Sequence, residues 1–242
     1  DSRIVNARAK WSGRSDKTDW RVRLQIPTGA DAVYESILAN NKLLDPLVPS
    51  RGIFWPLTPA VVIQHSANYN ALAQTHSNYP FQAYQNSQVD SLNIIGEFPV
   101  QNADDAKHWV ATINFLRTIT KMYFGKEQAL KGNPPPIMHL SGYGDHMFSK
   151  VPVIVNTFNV ELRPGIDYIS TKQNPDGYST ARTRERMGLP ELDDSQTWAP
   201  TLSNISVLVT PVYSRESIKN FSLSEFARGE LSGKGTGEIG FI

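Results

Sequence analysis

Histidines and carboxylates are the side chains in this sequence with most chemistry to offer, and their spacing decides what kind. His139, Asp145 and His146 fall within HLSGYGDH. Two imidazoles and a carboxylate can form a donor set for a divalent metal. The spacing matches no ligand motif, however, and the segment reads as a strand entering a turn where Gly and Asp serve the backbone. His65 and His76 flank a Tyr- and Asn-rich stretch. They would act as bases only beside a positioned nucleophile, and no residue marks one. Glu35, Glu97 and Glu161 are single carboxylates on separate segments, whereas a glycosidase needs two across one cleft.

Other motifs are formal. GKGTGEIG from Gly233 lacks the G-x-x-x-x-G-K-S/T spacing and the strand–loop–helix setting of a phosphate loop. Asn204-Ile-Ser and Asn220-Phe-Ser fit the glycosylation pattern, which matters only for a secreted chain. With no cysteine there are no disulfides, thiolate metal sites or cysteine nucleophiles. No catalytic, cofactor-binding or metal-ligating set is assigned. The chain reads as a non-enzyme that needs no cofactor.

The elements that position these residues are mostly strands. DWRVRLQI (19–26) alternates, with Trp20, Val22, Leu24 and Ile26 on one face and Arg21, Arg23 and Gln25 on the other, predicting a half-buried strand. Gly52–Trp55 and Ala60–Tyr69 predict two more. Residues 70–86 predict a long polar loop or hairpin. Gln88–Phe98 alternates, with Leu92, Ile94, Gly96 and Phe98 together. Short strands follow at Ile137–Ser141 and Asn204–Tyr213. A long one covers Val151–Leu162, its start pushed to a sheet edge by Pro152.

A single helix is predicted over about 103–124, with a shorter one allowed within 33–44. For the longer, Asn102 stands at the cap and Asp104 and Asp105 in the first turn, where free N–H groups and the macrodipole favour anions. Ala106, Trp109, Val110, Ile113 and Leu116 keep the helical period. Strands, one helix, then strands predicts an α+β fold with an antiparallel or mixed sheet. The expected organisation is a basic N-terminal arm (1–18), one β domain (19–220) with loop insertions at 28–50 and 170–200, and a Gly-rich tail (221–242) that is extended or mobile alone.

Composition bounds the function. The 242 residues carry a net charge of +1, so no global field points to nucleic acid or an anionic membrane. No apolar run approaches the ~18 residues of a membrane span, and no membrane partner is expected. Charged residues are 19% and aromatics 10%, with many Asn, Gln, Ser and Thr. That mixture suits β surfaces and polar interfaces. The Tyr69–Tyr84 stretch, with Tyr79 and Phe81, reads either as such an interface or as a carbohydrate-stacking surface.

The block QNSQVDSLNIIGEFPVQNADDAKHWVATINFLRTITKMYFG (85–125) resembles the strand–helix core of tube-like baseplate proteins of contractile-tailed phages. PPPIMHLSGYG, VPVIVNTFNVEL and PGIDYI continue the likeness, and GIFWPLTPAV, VLVTPVYSRESIKNFSLSEFARG and the terminal GFI are also similar. About two-thirds of the chain is covered, as a pattern of spacing.

The resemblance implies a tail-tube-like antiparallel β-sandwich or barrel with one packed α-helix. It implies a structural protein of the virion: a homohexameric ring in the tail baseplate that joins the hub to the tail tube and initiates tube assembly. Its partners would be sister copies, tail-tube and baseplate hub proteins, and DNA passing transiently through the channel. On that picture Trp109, Ile113 and Leu116 cover one sheet face. Asn93, Glu97, Asn156 and Asn159 line the wet channel on the other. The alternatives are a receptor- or glycan-binding tail module, and a cell-wall hydrolase domain around His139 and His146.

Overall fold

Alternation along the chain becomes one apolar and one polar sheet face. The computed structural model describes residues 20–27, 43–124, 132–144, 146–172, 196–233 and 239–242. The basic arm, the candidate helix within 33–44 up to residue 42, Glu35, Asp145 and the middle of the 170–200 insertion lie outside the described residues. In chain order the strands are β1 (Arg23–Gln25), β2 (Gly52–Phe54), β3 (Ala60–Val62), β4 (His65–Leu72), β5 (Phe81–Val89) and β6 (Leu92–Pro99). After helix α1 (Ala103–Ile119) come β7 (Met138–Gly142), β8 (Phe148–Glu161), β9 (Tyr168–Ser170), β10 (Trp198–Pro200) and β11 (Leu202–Pro211). Two short helices, α2 (Arg215–Lys219) and α3 (Leu223–Ala227), follow. The fold is α+β.

Seven strands form the main sheet in the order β2-β1-β7-β8-β11-β6-β3, every neighbouring pair antiparallel. β9–β10 and β4–β5 are separate two-stranded sheets. The main sheet must curl. Its two edge strands, β2 and β3, are joined by residues 55–59 alone. That link spans at most about 22 Å, whereas seven flat strands would separate their outer members by about 29 Å. Trp55 shows the curl directly. Its N–H donates to Val22 O beside β1 (3.0 Å), while its ring lies against Gly96 of β6 on the far side of the sheet. No ladder joins β2 to β3 among the described residues, so the sheet is curled but open.

Gly96 is required by this contact. A Cβ there would collide with Trp55 Cδ1. Trp55 is fully buried, with Phe98 edge-on to it. Gly96→Ala is expected to destabilise the protein by about 1–3 kcal/mol through overpacking. The same change should cost far less in a Trp55→Ala background, a non-additivity that denaturant midpoints of the four variants would show.

Helix α1 starts as expected. Asn102 Oδ1 accepts from Asp105 N at 2.8 Å, and Asp105 accepts from Gln101 N at 3.0 Å. It ends at Ile119, five residues before the expected stop at 124. Residues beyond the Thr120 cap turn away, and Tyr123 exchanges backbone bonds with Asn133 and Gly132. The helix lies against β2, β9, β10 and the 3₁₀ turn Asp45–Leu47. Trp109, Ile113 and Leu116 are buried in the same core as the inward strand residues Ile94, Phe98, Ile205 and Val207.

Other expectations need correction. Arg21 and Arg23 are buried rather than on a solvent face; Arg21 lies over the Phe54 ring, 4.9 Å from its centroid, and α1 packs on β2 there, His108 against Phe54. Pro152 sits inside β8, which is central and not an edge. It faces His139 of β7 next to a register irregularity, and its carbonyl accepts from Val212 N. The 60–69 segment is two strands, interrupted at 63–64. At the two ends of the 170–200 insertion, residues 168–170 and 198–200 pair as β9–β10.

The Gly-rich tail is not a loose extension where it is described. Ser232 bridges to Gly240, Phe241 stacks on Tyr213 at 4.5 Å, and Ile242 N donates to Tyr213 Oη. Gly233, at φ +68, packs so closely on Ser149 O and Gly240 N that any Cβ would clash.

Candidate functional site

The polar face of the main sheet is built from the centre outward. Along β11, Asn204, Ser206, Leu208 and Thr210 alternate with the buried Ser203, Ile205, Val207 and Val209. Cross-strand register then sets the rungs: Glu97–Asn204–Glu161, Ile95–Ser206–Asn159 and Asn93–Leu208–Thr157. A bulge between Leu208 and Val209 sets Asn156 out of register, and its amide donates to Thr210 Oγ1 at 2.8 Å. All four residues expected on the wet face therefore share it: Asn93, Glu97, Asn156 and Asn159.

Two carboxylates, Glu97 and Glu161, sit on this face on either side of Asn204, whose amide donates to Glu161 Oε2 at 3.3 Å. Arg163, just past β8, pairs with Glu161 at 3.6 Å. β6, β11 and β8 from Val151 onward contain no lysine or arginine. The face is thus neutral to acidic along its central strands.

The second feature is an arm. β4 and β5 pair from His65↔Val89 to Leu72↔Phe81, and Asp90 N donates to Gln64 O where the ladder leaves β3 and β6. Eight paired residues give the arm a length of about 25 Å. Nearly every residue on it is exposed. Tyr69 and Tyr84 meet edge-on at 5.6 Å and Asn68 donates to Asn86 at 2.9 Å, so a few side chains brace it. At the tip Ser77 Oγ donates to Tyr79 O at 2.9 Å and Pro80 follows, presenting Tyr79 with 83% of its surface in solvent.

From Gln64 to Val89 there is no Asp, Glu, Lys or Arg. Solitary two-stranded hairpins are marginal in water, and natural free edges usually carry charge or proline against stray pairing. This arm has two long edges and no such charge. The run without charge was legible in the sequence, although the segment reads there only as a polar loop or hairpin.

His65 and His146 come to one pocket at the base of the arm, whereas His76 and His139 do not line it. His65 lies at the base of the arm and His76 in its tip loop, so the arm's length separates them. His139 is half-buried on β7, its pKa lowered by burial and by the nearby Lys150 charge. His146 is exposed in the β7–β8 turn. No cluster of three metal-donor side chains occurs among the described residues. Glu97 and Glu161 share a sheet face, but it is an open surface with Asn204 between them. Asn204 is held in β11 and Asn220 caps α2. Residues 234–238 of GKGTGEIG lie outside the described set.

The sequence gives no hint of a pocket of about 520 Å³ at the base of the arm. It is assembled from distant segments: Ile63 and His65, the His146–Phe148 turn, α3 through Ser232, and Phe241–Ile242.

No family model matches the chain, and no curated protein matches it by sequence.

Proposed function

We propose that this chain is a structural assembly subunit, in particular a tube-like ring component of the baseplate of a contractile phage tail, located in the virion. The observation that carries the reading is the charge-free, aromatic arm whose backbone edges and side chains find so little cover on their own body. Cover supplied by sister copies removes that liability, as closure does for sheet edges generally. Its 25 residues, His65–Val89, match the roughly 20–30 residues per side of a specific interface. The open sheet between β2 and β3 adds edges that neighbours can continue. The phage resemblance supplies the finer terms: a hexameric ring, hub and tail-tube proteins as stack neighbours, and DNA as a transient passenger. A sheet face without lysine or arginine on its central strands suits a channel wall, since basic walls bind phosphate strongly.

The test is self-association of the purified chain. Sedimentation velocity and negative-stain images should show rings or stacked discs. Tyr69→Lys/Tyr84→Lys should weaken association at least tenfold, while the thermal midpoint moves little because both residues stand off the core. A wild-type chain that stays monomeric at high concentration and is missing from phage particles sinks the reading.

The same aromatics favour a second reading, a glycan-binding tail module. It predicts glycan-array signals that vanish in Tyr79→Ala. The edge-on Tyr69–Tyr84 pair, with 69° between its rings, offers a sugar no broad flat platform.

A further inference from the structure

We propose that the pocket at the base of the arm receives the arm tip of a second copy, with Tyr79 and Phe81 as the inserted side chains. The inference rests on the self-association reading and deepens it by naming both halves of one contact. The pocket is lined mainly by apolar side chains, including Ile63, Met147, Phe148, Phe226 and Phe241. Its volume of about 520 Å³ lies within the range of about 300–1,000 Å³ for sites that enclose a compact ligand. Such a space has room for two aromatic rings.

The tip has what the pocket lacks. Tyr79 and Phe81 are large and exposed, and the Ser77 bond and Pro80 hold the loop in shape before any partner arrives. A preordered aromatic anchor loses little entropy on docking, and aromatic anchors in pockets dominate interface energies. Charge is matched as well. The tip carries no formal charge. In the pocket, Arg228 is already paired with Glu230 at 3.1 Å, so an uncharged guest strands no ion. His65 and His146 at the wall can hydrogen-bond a phenol hydroxyl.

The occupant cannot be the chain's own tip. Tip and pocket lie at opposite ends of one continuous ladder, and folding the tip back would break it. Each copy therefore gives at one end and receives at the other. Two copies can satisfy both ends reciprocally about a two-fold axis, or copies can join head to tail until a ring closes; the ring reading takes the second.

The absence of cysteine makes the contact directly testable in the full chain. Tyr79→Cys and Ala227→Cys chains are mixed and treated with a short bis-maleimide. Ala227 lines the pocket, and the control pair replaces it with Arg117→Cys on the exposed side of α1. The tip–pocket pair should give at least tenfold more cross-linked dimer than the control. Ala227→Trp, which fills the pocket, should weaken association at least tenfold, and Tyr79→Ala should do the same. If the wild type assembles yet tip and pocket cross-link no faster than the control, this contact is wrong while self-association stands. If the wild type never assembles, both fall together.

Discussion

Trp109→Ala is expected to remove about 3–5 kcal/mol of folding stability, the largest loss from any single side chain in the helix. Trp109 is buried in the common core, and its indole Nε1 donates to Ser203 Oγ at 2.8 Å, tying α1 to the first inward residue of β11. Truncation empties a large volume and leaves the fully buried Ser203 hydroxyl without that partner. For a chain of this length the melting temperature should fall by roughly 10 °C. Trp109→Phe separates the two causes: it keeps most of the volume and loses the hydrogen bond, for about 1–1.5 kcal/mol plus a small cavity term. The helix and sheet are meant to form one rigid wall, so Trp109→Ala should also abolish assembly at temperatures where the wild type forms rings. Wild-type stability in Trp109→Ala, measured by urea unfolding, would mean that the helix's sheet-facing side has been misread.

Much of this architecture is legible in the chain because local and tertiary signals agree. Strands β6 and β11 alternate cleanly because one face is buried and the other is not. The helix start is plain because Asn102, Asp104 and Asp105 do the chemistry that a helix N-terminus demands. The misreadings fall where apolar letters do not reveal direction. Met122, Tyr123 and Phe124 continue the hydrophobic run, yet Met122 and Phe124 are exposed, and only Tyr123 is drawn in, through its bonds to 132–133. Arg21 and Arg23 look solvent-facing because sequence cannot say that Phe54 and the start of α1 will cover their side of the sheet. Pro152 suggests an edge because its missing N–H is visible, whereas the end of β11 at Pro211, which leaves that side of Pro152 with only the Val212 bond to its carbonyl, is not.

The candidate surfaces divide in the same way. Asn93 and Glu97 share a face by strand period alone, but Asn156 and Asn159, three apart, do not: the extra residue of the β8 bulge, Asn156 itself, is what brings it to that face beside Thr210. The pocket could not be seen, because its walls come from four separated stretches. The C-terminal segment reads as loose because glycine composition resembles a linker. Gly233 and Gly240 are instead needed where backbones nearly touch Ser149.

Acid should expose one more hidden feature of the core. His108 lies on the buried side of α1, its ring 4.9 Å from that of Phe54, and burial lowers its pKa to about 4 against the opposing pull of Asp105. Above pH 6.5 the imidazole is neutral in folded and unfolded chains alike, and the native state bears no penalty. Below that, the unfolded chain takes up a proton that the folded chain refuses until about pH 4. Stability is therefore fully present near neutrality and falls as the pH drops from 6.5 to 4, by about 3 kcal/mol in all. The half-buried His139, lowered for the same leading reason, adds in the same direction. In His108→Gln, with no proton to gain, the acid limb of the stability curve should flatten over that interval, even if the variant starts lower at pH 7. Urea midpoints from pH 7 to 4 decide it, with the imidazole's NMR titration as the direct check. Parallel losses in wild type and variant, or a His108 that titrates near 6.5 in the folded chain, would show that this imidazole meets solvent and that α1 is less firmly seated on the β2 side than the packing indicates.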